Sequence, residues 1–147
     1  MLTRRTVIAS FAASALLAPA GAKAATPVFY RNPGCSCCEA WTERMAGAGL
    51  PVSMEDSSDL AGIAAGYGIP AGLEGCHLGE MGGYVISGHV PPEDIKRLFA
   101  AKPDARGLLV PGMPVGSPGM EMGEQVDRYD VLLLARDGST TVFASHG

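Results

Sequence analysis

The sequence has few basic residues, no long apolar run beyond its N-terminus and no internal repeat. Eleven Lys and Arg stand against fifteen Asp and Glu in 147 residues, a formal charge of −4. A nucleic-acid partner needs a basic face to meet its phosphates, so that class is excluded. Apolar stretches after the N-terminus reach only five or six residues, far short of the roughly 20 that a membrane-spanning helix needs. No serine sits in a nucleophile elbow, and the carboxylates form no acid–base pair. What is there fits a single folded domain. The chain is 47% hydrophobic and 18% charged, too apolar for a disordered chain. Its 20 glycines and 11 prolines mark many turns.

Residues 1–24 read as an export signal rather than part of the fold. Arg4-Arg5 precede an apolar run from Val7 to Ala20, and Ala22-Lys23-Ala24 supplies the small-x-small cleavage pattern. The arginine pair resembles a twin-arginine signal; an ordinary secretory signal with adjacent arginines fits equally. Losing Arg4, Arg5 and Lys23 reduces eleven basic residues to eight against fifteen acidic ones, a mature charge of −7. An acidic periplasmic protein is expected. That compartment is oxidising, which opens the cysteines to disulfides, metal binding or both.

From there the chain alternates. Thr26–Arg31 is β-rich and ends at Asn32-Pro33-Gly34. From Cys35 to Gly47 the spacing predicts a helix with Trp41, Met45 and Ala48 on one face. Pro51–Glu55 reads as a second strand, and Ser58-Asp59 offers a cap for a helix burying Leu60, Ile63, Ala64 and Tyr67. After a glycine-rich stretch come a third strand, Gly83–Ser87, and a helix opened by Pro91-Pro92-Glu93-Asp94 and burying Ile95, Leu98 and Phe99. A Gly/Pro/Met segment at 107–123 precedes a hairpin, 130–135 and 140–143, turning at Asp137-Gly138. This order predicts an α/β fold whose first two strands are parallel, with 107–147 as an appended extension.

The chemistry lies in the cysteines. Cys35, Cys37 and Cys38 follow a strand and enter a helix, where free N–H groups and the helix dipole favour thiolates. Cys35-x-x-Cys38 has the spacing of a redox pair, and Cys76 is the remaining sulfur partner. Three readings follow from the residues: a structural disulfide domain, a thiol–disulfide oxidoreductase using Cys35 and Cys38, or a soft-metal site. Three cysteines within four residues staple distant loops poorly, while several converging thiolates suit a soft ion. Met113, Met120 and Met122 sit among glycines and prolines, where packing is a weak reason for them. Thioether with thiolate selects Cu(I) over zinc. Met81 is a weaker candidate, and Met45 and Met54 fit core positions. His77 abuts Cys76 and is the leading imidazole candidate. His89 precedes the start of the third helix, where capping weighs at least as much as metal ligation, and His146 reads as a tail residue, either disordered or able to close over a metal.

The CxCC motif at 35–38, Cys76-His77, the run from Gly83 to Pro91 and the PGMPVGSPGMEM segment at 111–122 together resemble the CopG-type periplasmic copper-resistance proteins, a family found with copper-efflux genes. The resemblance implies a thioredoxin-like domain with a Met-rich C-terminal extension and β-hairpin. It also implies a cysteine-bridged multinuclear copper site that interconverts Cu(I) and Cu(II) without an organic cofactor. Cys35, Cys37, Cys38 and Cys76 become the expected copper sulfurs, and Met113, Met120 and Met122 the contributors from the extension. Copper ions and periplasmic efflux components are the implied partners of a monomer. Whether such a chain acts as a copper or thiol oxidoreductase is left open. In a thioredoxin-like fold a proline, often cis, faces the cysteine pair; Ile69-Pro70 is the candidate by chain order.

Overall fold

The computed structural model describes residues 25–147; the export signal read over 1–24 lies outside them. Strand β1 (Val28–Arg31) ends at Asn32-Pro33-Gly34 and feeds helix α1 (Ser36–Gly47). Strand β2 (Ser53–Asp56) returns parallel to β1, with Val28 opposite Ser53. Helix α2 (Leu60–Gly66) starts at Asp59, whose carboxylate accepts the Gly62 N–H at 3.0 Å. Losing such a cap costs about 1 kcal/mol. Strands β3 (His77–Met81) and β4 (Tyr84–Ser87) form an antiparallel pair beside β1. Helix α3 (Pro92–Ala101) carries its proline, Glu93 and Asp94 in the first turn, where neither a missing donor nor negative charge is costly. Strand β5 (Gly107–Leu109) runs parallel to β4, and the hairpin of β6 (Tyr129–Leu134) and β7 (Thr140–His146) completes one sheet in the order β2-β1-β3-β4-β5-β6-β7.

The alternating side chains divide into two cores. On one face Phe29, Ile86 and Leu108 pack with Trp41 and Met45 of α1 and Ile95 and Leu98 of α3; on the other Leu78, Val85 and Leu109 pack with Leu60 and Ala64 of α2. Each large side chain buried in this way stabilises by roughly 1.5–3 kcal/mol. The fold is α/β and thioredoxin-like.

The glycine-rich stretch before residue 83 contains β3, because Gly79 lies against the Phe29 ring, where a Cβ would come within 2.6 Å. The 107–123 segment opens with β5, and residues 107–147 supply three of the seven strands. Met81, weighed as a ligand, is a buried core residue at the end of β3. Phe99 is only partly buried. No cis peptide bond occurs among the described residues, so Ile69-Pro70 is trans. His146, read as a tail residue, instead ends β7 and bonds through its Nε2 to the buried Asp94 carboxylate at 2.6 Å, tying β7 to α3.

Candidate metal centre

The site forms where β1 gives way to α1, beside the residue that leads into β3. The Asn32 N–H donates to the Cys76 carbonyl at 3.4 Å, and the Cys35 N–H donates to the Asn32 carbonyl at 3.3 Å. Cys76 thus meets the CxCC turn. Cys35 is the N-cap of α1 and makes no side-chain capping bond, which leaves the first N–H groups of the helix beside the sulfurs. Arg31 steadies the turn from below. Its guanidinium donates to the Cys35 carbonyl at 3.3 Å and pairs with Glu39 and Asp56 at 3.0 and 2.8 Å.

Cys35 and Cys38 form a disulfide, while Cys37 and Cys76 are free thiols. The Cys37 sulfur lies 3.4 Å from that of Cys35 and 3.8 Å from that of Cys76, and the Cys38 and Cys76 sulfurs are 3.5 Å apart. All four sulfurs fall within 4.8 Å of one another. Met113 adds its thioether 4.0 Å from Cys37 while remaining 54% exposed. Met120 and Met122 make no such contact. Met120 is tied by backbone bonds to Gly116 and Ser117, and Met122 is 65% exposed.

Behind the sulfurs lie two imidazoles. The His77 Nδ1 is 3.5 Å and the His89 Nε2 is 3.2 Å from the Cys76 sulfur, and both rings are fully buried. His77 also packs on Trp41, with ring centroids 4.3 Å apart. The sequence reading missed His89 as a site residue; the N-cap of α3 is Pro91, and His89 turns inward instead. A histidine two residues before a double proline carries no local signal of that contact.

Burial sets the protonation states. It pushes both histidines below their ordinary value, His77 well below, with each imidazole better neutral than charged inside the protein. Burial, reinforced by the neighbouring Cys37, pushes the Cys76 thiol up to about 12. The helix-terminus expectation concerned the other three cysteines; Cys76 lies off the helix and goes the opposite way. Burial thus favours the thiol form of Cys76. His77 Nε2 is also a buried polar atom without a hydrogen-bond partner, an uncommon and costly situation. Soft sulfurs and neutral imidazoles are the donors that suit copper, so the residues present fit that ion.

A mixed sheet of this topology with a cysteine cluster at the start of α1 defines a thioredoxin-like protein with a sulfur-rich metal centre as its candidate site. Known proteins agree. Two solved structures, copper resistance protein CopG forms 1 and 2, are 37% and 36% identical to this chain. They superpose with TM-scores of 0.77 and 0.78, over 82% and 83% of this chain and 96% and 98% of theirs. Residues 73–120, from before Cys76 to Met120, match the family described as protein of unknown function DUF411. No curated protein sequence matches the chain. This chain belongs to the copper resistance protein CopG family, and its cysteine cluster supports a copper-related function.

Proposed function

We propose that this chain is an exported, periplasmic protein of copper resistance that holds more than one copper ion on sulfur and interconverts Cu(I) and Cu(II). Copper is its cargo and its substrate. The observation that supports this best is the convergence of four cysteine sulfurs within 4.8 Å, joined by the Met113 thioether. Zinc gives no reason for a thioether there.

Cys35 and Cys38 are the two-electron partners of the metal. In one direction the two thiolates give one electron each to two cupric ions, the S–S bond forms, and two cuprous ions result. In the other, two cuprous ions return the electrons and the bond opens. The disulfide pairing of Cys35 and Cys38 is the oxidised end of that cycle, in which Cys37, Cys76, Met113 and the imidazoles remain as donors. Met120 and Met122 lie on the same Gly/Pro/Met segment as Met113 and join this reading through a rearrangement of that segment around copper. The Arg4-Arg5 leader supports export, and the partners are copper and components of its efflux, met by a monomer.

The test is copper per chain after loading without oxygen, with optical spectra before and after adding reductant. More than one ion per chain, with a spectrum that changes reversibly, is expected. A protein that takes only zinc, or no metal, overturns the proposal. A second reading is favoured by one observation, the Cys35–Cys38 bridge at a helix start: a thiol–disulfide oxidoreductase working without metal.

A further inference from the structure

His89 sits between two partners. Its Nδ1 is 2.7 Å from the carbonyl oxygen of Pro118, and its Nε2 is 3.2 Å from the Cys76 sulfur. A carbonyl oxygen only accepts, so Nδ1 carries the hydrogen; a neutral imidazole has one N–H, so Nε2 keeps its lone pair. That lone pair faces Cys76. The tautomer is therefore chosen by a backbone atom from a distant part of the chain.

The segment that supplies this atom is itself anchored. Within it the Ser117 hydroxyl donates to the Pro114 carbonyl at 2.6 Å, and the Gly116 N–H donates to the Met120 carbonyl at 2.8 Å. Gly119, at φ +88°, lies flat on α1: a Cβ there would come within 2.7 Å of the Cys37 carbonyl and the Trp41 nitrogen. One residue beyond Met120, Glu121 pairs with Arg44 of α1 at 3.0 Å.

We infer that residues 114–120 form a positioning strap that fixes His89 as the Nδ1–H tautomer and so aims a lone pair at the Cys76 sulfur. Gly119 is the residue that lets the strap lie close enough to do so. A nitrogen donor oriented through its second nitrogen is the arrangement that metal-ligating histidines share, and it gives the Met-rich segment a task separate from its thioethers. The consequence for copper rests on the function proposed above; the tautomer does not.

Metal-free protein labelled with nitrogen-15 in its histidines, examined at pH 8 by long-range nitrogen–proton correlation, reads the tautomer directly. His89 is expected with its proton on Nδ1. A proton on Nε2, or an even mixture, overturns the inference. Gly119→Ala is expected to lift the strap, mix the tautomers and weaken Cu(I) binding about ten- to hundredfold, the usual effect of losing an outer partner of a ligand. A folded Gly119→Ala protein whose His89 keeps the Nδ1 proton overturns the role of the strap. If that variant fails to fold, the tautomer of the unaltered protein decides. Should the unaltered protein bind no copper yet show the Nδ1 proton, the copper proposal fails and the strap stands.

Discussion

Met113 stands at the solvent edge of the sulfur cluster beside the half-buried Cys37, whereas the fully buried His77 and His89 form its inner wall; Cys76, half-buried like Cys37, lies between them. The two sides differ in chemistry as well as in exposure. The outer side is all sulfur and within reach of a soft ion arriving from solution. The inner side holds two neutral imidazoles, His77 packed against Trp41 and His89 edge-on to His77, and an unpaired nitrogen on His77. An outer side suits exchange and an inner side suits retention. A buried wall with an unsatisfied nitrogen is also costly to keep, about 1–3 kcal/mol for such a group, and packing alone does not call for it.

The hardest blow to this contrast is Cys76→Ser, since Cys76 alone touches both sides. Loss of copper ions, read as ions per chain, is expected, together with at least about a hundredfold weaker Cu(I) binding, more than an outer-partner loss costs. If the variant keeps its copper, the inner wall is not part of the centre. If it keeps dithiol–disulfide turnover while the unaltered protein binds no copper, the oxidoreductase reading replaces ours.

Acidification should act on the inner wall. Both histidines have native pKa values below the ordinary 6.5, so between that value and the native ones the unfolded chain binds protons that the native protein refuses. Stability of the metal-free protein is therefore full above about pH 6.5 and is lost as the pH falls toward the native values. Urea midpoints at pH 8 and pH 5 measure this; an unchanged midpoint removes the claim that the imidazoles are buried neutral.

His77→Phe separates stability from binding. A phenyl ring keeps the packing against Trp41 and abolishes the orphaned nitrogen, so the metal-free protein should gain about 1 kcal/mol while binding copper less tightly. A loss of stability would mean that the nitrogen has a partner after all. The mildest effects belong to the exposed thioethers. Met113→Leu should weaken Cu(I) binding several-fold and Met122→Leu should leave it unchanged, both measured by competition with a chelator; equal effects would show that the Gly/Pro/Met segment rearranges around the metal.

Much of this was readable locally. The CxCC turn, the Asp59 cap, the proline start of α3 and the Asp137-Gly138 hairpin are each set by neighbours within a few residues, and each formed where expected. The strands β3 and β5 were not. Gly79 weakens the strand pattern of β3 and is needed because Phe29 lies across it, while β5 is only three residues long and begins at Gly107, pressed onto the backbone of Val85. His89 was misread for a similar reason: its partners, Cys76 and Pro118, are 13 and 29 residues away.

From sequence alone came the residue types: thiols at a helix start, thioethers among glycines, a Cys-His pair and the alternation of strand and helix. These follow from spacing and from the intrinsic chemistry of sulfur. Only the folded chain decided that Cys76 meets the CxCC sulfurs, which thioether reaches them, and that the His89 imidazole faces Cys76 under a carbonyl from the strap. Those outcomes depend on contacts between distant segments, and no local pattern encodes the distance between two atoms that the sheet brings together.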